Sequence, residues 1–161
     1  MPDPYVTEAE FDTTFDRCWL PVFRFALAWT NDWASAEDLT QDAFLKLWAK
    51  RTELDWSTPL LPWLLTATRR LATDRFRRLR VALRSSSAGA AGGSPDSDAR
   101  LRWMDLRPRL AELSPTQRSA LVLTTLIGLT PDEAAEALAT SAGAVRAAVS
   151  RARASLAEAE S

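Results

Sequence analysis

Apolar residues recur at intervals of three or four along most of the chain, and no alternating pattern exceeds four residues, so the sequence predicts an all-α protein. Phe11, Phe15, Trp19 (or Cys18), Val22, Phe25, Ala26 and Trp29 trace one stripe, which predicts a helix from about Thr7 to Thr30. Pro21 falls inside it and is expected to kink or split that helix. A second helix is expected from Ser35, whose hydroxyl can cap the amide of Asp38, with Ala36, Leu39, Ala43 and Leu47 inward and Phe44 and Trp48 widening the stripe. Glu37 and Asp38 then occupy a first turn, where the helix dipole favours acids. Leu54 to Leu61 contains a proline and turn formers and reads as a loop; a third helix follows from about Pro62 to Arg80, with Trp63, Leu64, Ala67 and Leu71 inward.

The periodicity then stops. Ser85 to Ser97 (SSSAGAAGGSPDS) has no large apolar residue and holds three of the five glycines, so it reads as a flexible linker with a root-mean-square span of roughly 20 Å. Beyond it the pattern gives four helices, at about 98–112, 115–127, 131–138 and 142–157. Ser114-Pro115-Thr116-Gln117 and Thr130-Pro131-Asp132-Glu133 each supply a hydroxyl cap, a proline at the first helical position and an amide or acid at the third. Gly128 ends the helix between them, Ala139-Thr140 makes a turn, and Ser141 caps the last helix. The expected organisation is two small helical domains, 7–82 and 99–158, joined by a linker at 83–98.

Two short helices across a tight turn, TPDEAAEALATSAGAVRAAVSRARASL, form the shape with which one helix braces and the next enters the DNA major groove. Ala134, Ala135 and Leu138 are expected to lock against Val145, Val149 and Leu156, leaving Arg146, Ser150, Arg151 and Arg153 outward. The net charge of −1 argues against a nucleic-acid partner until its distribution is seen: residues 69–84 carry seven arginines against the single acid Asp74. Such a patch is either an electrostatic footprint for phosphate or a solvated helix face. The acidic stretch Ala36 to Trp48 is likewise either plain solvent-facing decoration or a docking surface. Trp56, in the loop before the arginine-rich helix, either anchors that loop or stacks on an unpaired base.

Several chemistries are excluded. One cysteine, Cys18, cannot form an internal disulfide, and with no histidine there is no zinc or haem set and no nucleophile–base pair. No catalytic residue, metal or cofactor is therefore expected. The acidic, polar N-terminus is no signal peptide and no apolar run reaches the roughly 18–20 residues of a membrane span, so the expectation is a cytoplasmic protein without a membrane partner.

Three stretches together resemble the extracytoplasmic-function class of bacterial sigma factors, in the sigma-70 family. AEDLTQDAFLKLW is similar to that family's D/A-E-D-L-x-Q-E-x-F-L-x-x-W, and PWLLTATRRLATDRFRR to its P-W-L-x-x-I-A-R-N-x-x-x-D-x-x-R-R. LSPTQRSALVLTTLIGLTPDEAAEALATSAGAVRAAVSRARASL follows the family's second-domain pattern almost position by position. The resemblance implies a non-enzymatic initiation factor whose first domain is region 2 and whose second, a helix-turn-helix domain, is region 4. By it, Glu37, Asp38, Gln41 and Asp42 dock core RNA polymerase on the coiled coil of the largest subunit, and the flap region is a further contact. Trp56, Trp63, Arg69, Arg70, Asp74, Arg77 and Arg78 meet the promoter −10 element and help melt it. Ser141, Arg146, Ser150, Arg151 and Arg153 meet the −35 element. An anti-sigma factor is a further candidate partner. Arg70 stands where the family usually has Asn, Ala139 replaces a turn glycine, and Ala144, Ala147 and Ala148 replace Thr, Ser and Arg of the recognition helix. Two other readings share these residues: a stand-alone helix-turn-helix regulator, and a degenerate sigma-like module that only sequesters partners.

Overall fold

The computed structural model describes residues 6–82 and 97–160, and among these every regular element is helical. The helices are α1 (Glu8–Thr30), α2 (Trp33–Ala49), α3 (Leu61–Ala82), α4 (Ser97–Leu110), α5 (Pro115–Thr125), α6 (Pro131–Leu138) and α7 (Ala142–Glu158), with a 3-10 turn at Arg51–Glu53. The expected linker lies outside the described residues as far as residue 96, and its last two positions, Ser97 and Asp98, already belong to α4.

α1 begins on a capping box: Glu10 N–H donates to Thr7 Oγ1, and Thr7 N–H donates to the Glu10 carboxylate. It runs through Pro21 without splitting. Proline removes one ladder bond, but Cys18, Val22 and Phe25, before and after it, are buried and hold both halves to the same core. α2 starts two residues before the expected point. Asp32, not Ser35, is the cap; its carboxylate accepts from Ser35 N–H at 3.0 Å and Ser35 Oγ–H at 2.6 Å. Those bonds, the hydroxyl's first, hold the Asp32 carboxyl below its usual range. Starting there brings Trp33 onto the buried face with Ala36, Leu39 and Thr40, and moves Glu37 and Asp38 out of the first turn.

In the second half, the capping boxes at Ser114 and Thr130 form as the sequence predicts, and Ser141 Oγ accepts from Ala144 N–H at 3.1 Å. Gly128 takes a left-handed conformation (φ 85°), and so does Ala139 (φ 54°) at the end of α6. A Cβ there costs roughly 1–2 kcal/mol. Ala139 is exposed and has little packing to lose. Ala139→Gly is therefore expected to stabilise the protein by about 1 kcal/mol, seen as a higher urea midpoint at unchanged slope; a lower midpoint would contradict this.

The two halves pack against each other, through α1 on α5 and α3 on α6. Phe25 of α1 and Leu65 of α3 share one buried cluster with Ala120, Leu123, Ala134, Leu138, Val145 and Ala148. A second cluster joins Cys18 and Val22 to Ala43, Phe44, Leu47 and Leu64. A third joins Phe23, Ala26, Trp33 and Leu39 to Ala72, with Trp103 of α4 packed against it. α1 is thus a spine, flanked by α2 and α3 and, across the junction, by α5. The lone thiol, Cys18, is buried in the second cluster, and burial pushes its pKa up while Arg17 opposes.

Candidate functional site

Burying Ala36, Leu39, Ala43 and Leu47 turns the opposite side of α2 outward, so Gln41 is exposed while Glu37, Asp38 and Asp42 are half-buried. Glu37 Oε1 accepts from Trp33 Nε1–H one turn earlier. Asp38 and Asp42 are bridged by Arg75 of α3, at 3.9 Å for Asp38 and in a direct hydrogen bond for Asp42. The three side chains are 33–40% exposed, so each pair contributes only about 0–1 kcal/mol and yields readily to a competing cation. Sequence reasoning missed Arg75 by merging it with the arginine patch. Its spacing was the available signal: Thr68, Ala72 and Arg75 share one helical face, and the first two are buried.

The residues predicted around α3 divide into three groups. Arg70, Asp74, Arg77 and Arg78 are exposed and share one face at spacings of three and four. Arg69 is engaged: its Nε–H donates to Ala137 O of α6 at 3.0 Å. Trp63 packs half-buried against the Cys18–Leu64 cluster, which makes most of its ring structural. Trp56 is anchored, its Nε1–H donating to Arg51 O at 2.8 Å and its ring centroid lying 6.5 Å from that of Phe11. Asp55 pins the same loop by accepting from the N–H and hydroxyl of Ser57. The ring still helps line a cavity of about 420 Å³ with Thr14, Arg17, Ser57, Thr58 and Pro59.

On α7 the buried line is Val145, Ala148 and Ala152; Val149 and Leu156, expected inside, are half-buried. At 100° per residue the exposed side centres on Gly143, Ala147, Ser150 and Ala154, with Arg146 and Arg153 on one flank and Arg151 on the other. The middle of this face is therefore nearly flat, and its cations stand at both edges. Ser141 lies at the start of the helix with its oxygen committed to the cap.

A groove of about 530 Å³ runs between α1, α4 and α5, lined by Trp19, Phe23, Leu27, Trp103, Leu106 and Leu126, with Arg24 and Arg102 also in its walls. Among the described residues no helix is long and apolar enough to cross a membrane.

Residues 15–81 match the family described as Sigma-70 region 2, and residues 104–156 the family described as Sigma-70, region 4. The chain is 33% identical over 144 residues to the ECF RNA polymerase sigma factor SigC of Mycobacterium tuberculosis, covering 86% of this chain and 77% of that protein. It is 33% identical over 141 residues to the RNA polymerase sigma factor CarQ of Myxococcus xanthus, covering 84% and 80%. Among solved structures, the sigma factor RpoE in complex with the anti-sigma factor NepR from Bartonella quintana is similar with a TM-score of 0.74 at 28% identity, covering 92% of this chain and 94% of that one. CnrH, in complex with the cytosolic domain of CnrY, shares the fold with a TM-score of 0.71 at 23% identity, covering 96% and 90%.

Proposed function

The chain belongs to the extracytoplasmic-function group of the sigma-70 family, and from that premise we propose how its surfaces divide the work of transcription initiation. The first module, residues 7–82, docks core RNA polymerase through Glu37, Asp38, Gln41 and Asp42 on the coiled coil of the largest subunit. The carboxylates sit on one stretch of α2 and are partly exposed, with Asp38 and Asp42 held only by weak ion pairs and Glu37 by the Trp33 indole, which supports that role. The second module, α4 to α7, reaches the flap region.

Arg70, Asp74, Arg77 and Arg78 lie along the −10 element, and Arg69 joins them when it is free of Ala137. The cavity beside Trp56 has room for a single unstacked base, an aromatic wall, Arg17 and the hydroxyl residues Thr14, Ser57 and Thr58; those are the elements that hold an extruded nucleotide. Trp56 then acts mainly as a wall of that cavity, and Trp63 as packing on the neighbouring core cluster. On α7, the flat centre lets the backbone approach the groove floor of the −35 element while Arg146, Arg151 and Arg153 reach phosphates on both walls. Base discrimination there is weak, since each missing bidentate pair forfeits roughly 1–3 kcal/mol, and DNA shape carries more of the choice. Ser150 supplies the remaining polar contact on that face, and Ser141 positions the helix.

The factor performs no covalent step; polymerase does the chemistry. An anti-sigma factor is a further partner in this reading, supported by the apolar groove between α1, α4 and α5. The observation that carries the whole proposal is the presence, in one chain, of a carboxylate surface on α2 and a capped helix pair with an arginine-edged outer face. The test combines the purified chain with core polymerase on fragmented genomic DNA and maps transcript starts. New, reproducible start sites that core alone does not give are expected; no shift of core and no new starts would overturn it.

A further inference from the structure

Arg75 stands on the seam between two of the surfaces assigned above. It belongs to α3, whose exposed row is Arg70, Asp74, Arg77 and Arg78, yet its guanidinium is engaged by α2. Nη2–H donates to Asp42 Oδ2, and Nη1 lies 3.9 Å from Asp38 Oδ2. α2 and α3 pack directly on one another, and Asp38 and Asp42 are about one turn apart, so a single cation faces both acids. Among the described residues no other arginine of α3 makes an ion pair.

The contact is built to be contested. Arg75 is 37% exposed and the two acids 33% and 40%, so water and solutes reach all three groups. Such a pair contributes little and is screened by salt. A partner cation that docks on Asp38 and Asp42 is set beside Arg75, and the two cations repel more strongly as the closing surface excludes water. A guanidinium keeps its proton throughout the accessible pH range, so Arg75 cannot relieve that repulsion by becoming neutral. It has to move.

α3 sets where it goes. At 100° per residue Arg75 is about 60° round the helix from Arg78, and neighbours at that spacing have Cβ atoms roughly 5–6 Å apart. Rotation about the side-chain bonds therefore carries the guanidinium from the α2 side to the exposed row, where it becomes a fourth arginine against the one acid, Asp74. The anion that suits a freed guanidinium on a cationic row is phosphate, which it can bind through two parallel hydrogen bonds. We propose that Arg75 is a DNA-contacting residue held in reserve: the acids of α2 sequester it in the free chain, and core polymerase, by taking those acids, releases it to a phosphate of the −10 strand. Linkage makes the effect mutual, so DNA bound along α3 draws Arg75 off the acids and strengthens docking on α2. The inference rests on the division of surfaces proposed above.

The test needs no polymerase. The full chain is titrated into a fluorescein-labelled single-stranded oligonucleotide of mixed sequence and anisotropy is followed. Every variant carries Arg146→Ala/Arg151→Ala/Arg153→Ala, which leaves α3 as the cationic surface under study. Arg75→Ala is made in two backgrounds, one with the native acids and one with Asp38→Asn/Asp42→Asn, whose amides keep the acids' shape and lose their charge. The loss of affinity caused by Arg75→Ala is expected to be about five-fold larger in the amide background, the scale set by one weak exposed pair. In that background alone the log–log salt dependence should also flatten by about 0.7, the share of one phosphate of a single strand. Should the double amide lose helix by circular dichroism, Asp42→Asn alone removes the direct hydrogen bond and is expected to enlarge the Arg75→Ala loss in the same sense. Equal losses in the two backgrounds, or no loss in either, would overturn the proposal and leave the promoter reading of α3 standing. If no variant binds the oligonucleotide, α3 is not a DNA surface and both readings fall.

Discussion

Asp38→Arg/Asp42→Arg is expected to abolish co-purification with core RNA polymerase, lowering affinity at least about 100-fold. In the native protein the two carboxylates face one guanidinium, that of Arg75, so the cluster carries a net negative charge. The double variant replaces it with three adjacent cations. Two like charges about 4 Å apart cost roughly 1 kcal/mol in water and about 4 kcal/mol where the effective dielectric falls to 20. The free protein, with all three groups about a third exposed or more, feels the smaller penalty and stays folded. The complex feels the larger one, because docking dries the surface and sets the cations against whatever cation the carboxylates were meant to meet. Arg75→Ala separates this account from a folding defect. It removes the internal partner yet keeps both acids, so it should cost under about 1 kcal/mol of stability and leave polymerase binding equal or tighter. Stoichiometric co-purification of the charge-reversed protein would remove the acidic face from the mechanism.

Replacing Arg146, Arg151 and Arg153 together by alanine is expected to weaken holoenzyme binding to its mapped promoters by about 100-fold or more at physiological salt. If all three reach phosphates, as their positions on the two edges of α7 imply, the log–log salt dependence should also become shallower by about 2.7, at roughly 0.9 for each phosphate no longer neutralised. Helix content should not change, because all three side chains are exposed and alanine is the better helix former. The slope is the discriminating quantity. If one arginine reads guanine instead, its single replacement should cost roughly 1–3 kcal/mol and relax sequence choice at one position. Normal affinity with an unchanged slope would mean that α7 is not the docking helix.

The elements were legible in the sequence wherever a local rule decides them. The capping boxes at Ser114 and Thr130, the left-handed Gly128 and the stripe through Leu39, Ala43 and Leu47 depend on near neighbours, and they formed where the pattern put them. The start of α2 was not legible, because Asp32 and Ser35 are both good caps and only the burial of Trp33 chooses between them. Pro21 misled for a similar reason: one missing ladder bond is small beside the packing on both sides of it.

The site was readable as residue types but not as partnerships. Glu37, Asp38 and Asp42 were visible as acids, yet nothing in their spacing announced Arg75, 33 residues beyond Asp42. The contact between modules was hidden altogether. Phe25 reads as one more apolar position on a long stripe, and Arg118 as an ordinary charged residue early in a helix. Only the folded chain shows that Phe25 meets the other module and that Arg118 ends two helices at once.

The placement of Cys18 has a consequence for how stress could reach this protein. Thiols react as thiolates, and this one is shielded by Val22, Phe44 and Leu47 with its ionisation disfavoured. Peroxide or a disulfide reagent therefore finds neither a nucleophile nor a path to it while the fold holds, and no second cysteine exists to complete an intramolecular bridge. An oxidative signal would have to be detected by some other molecule and relayed here without covalent change.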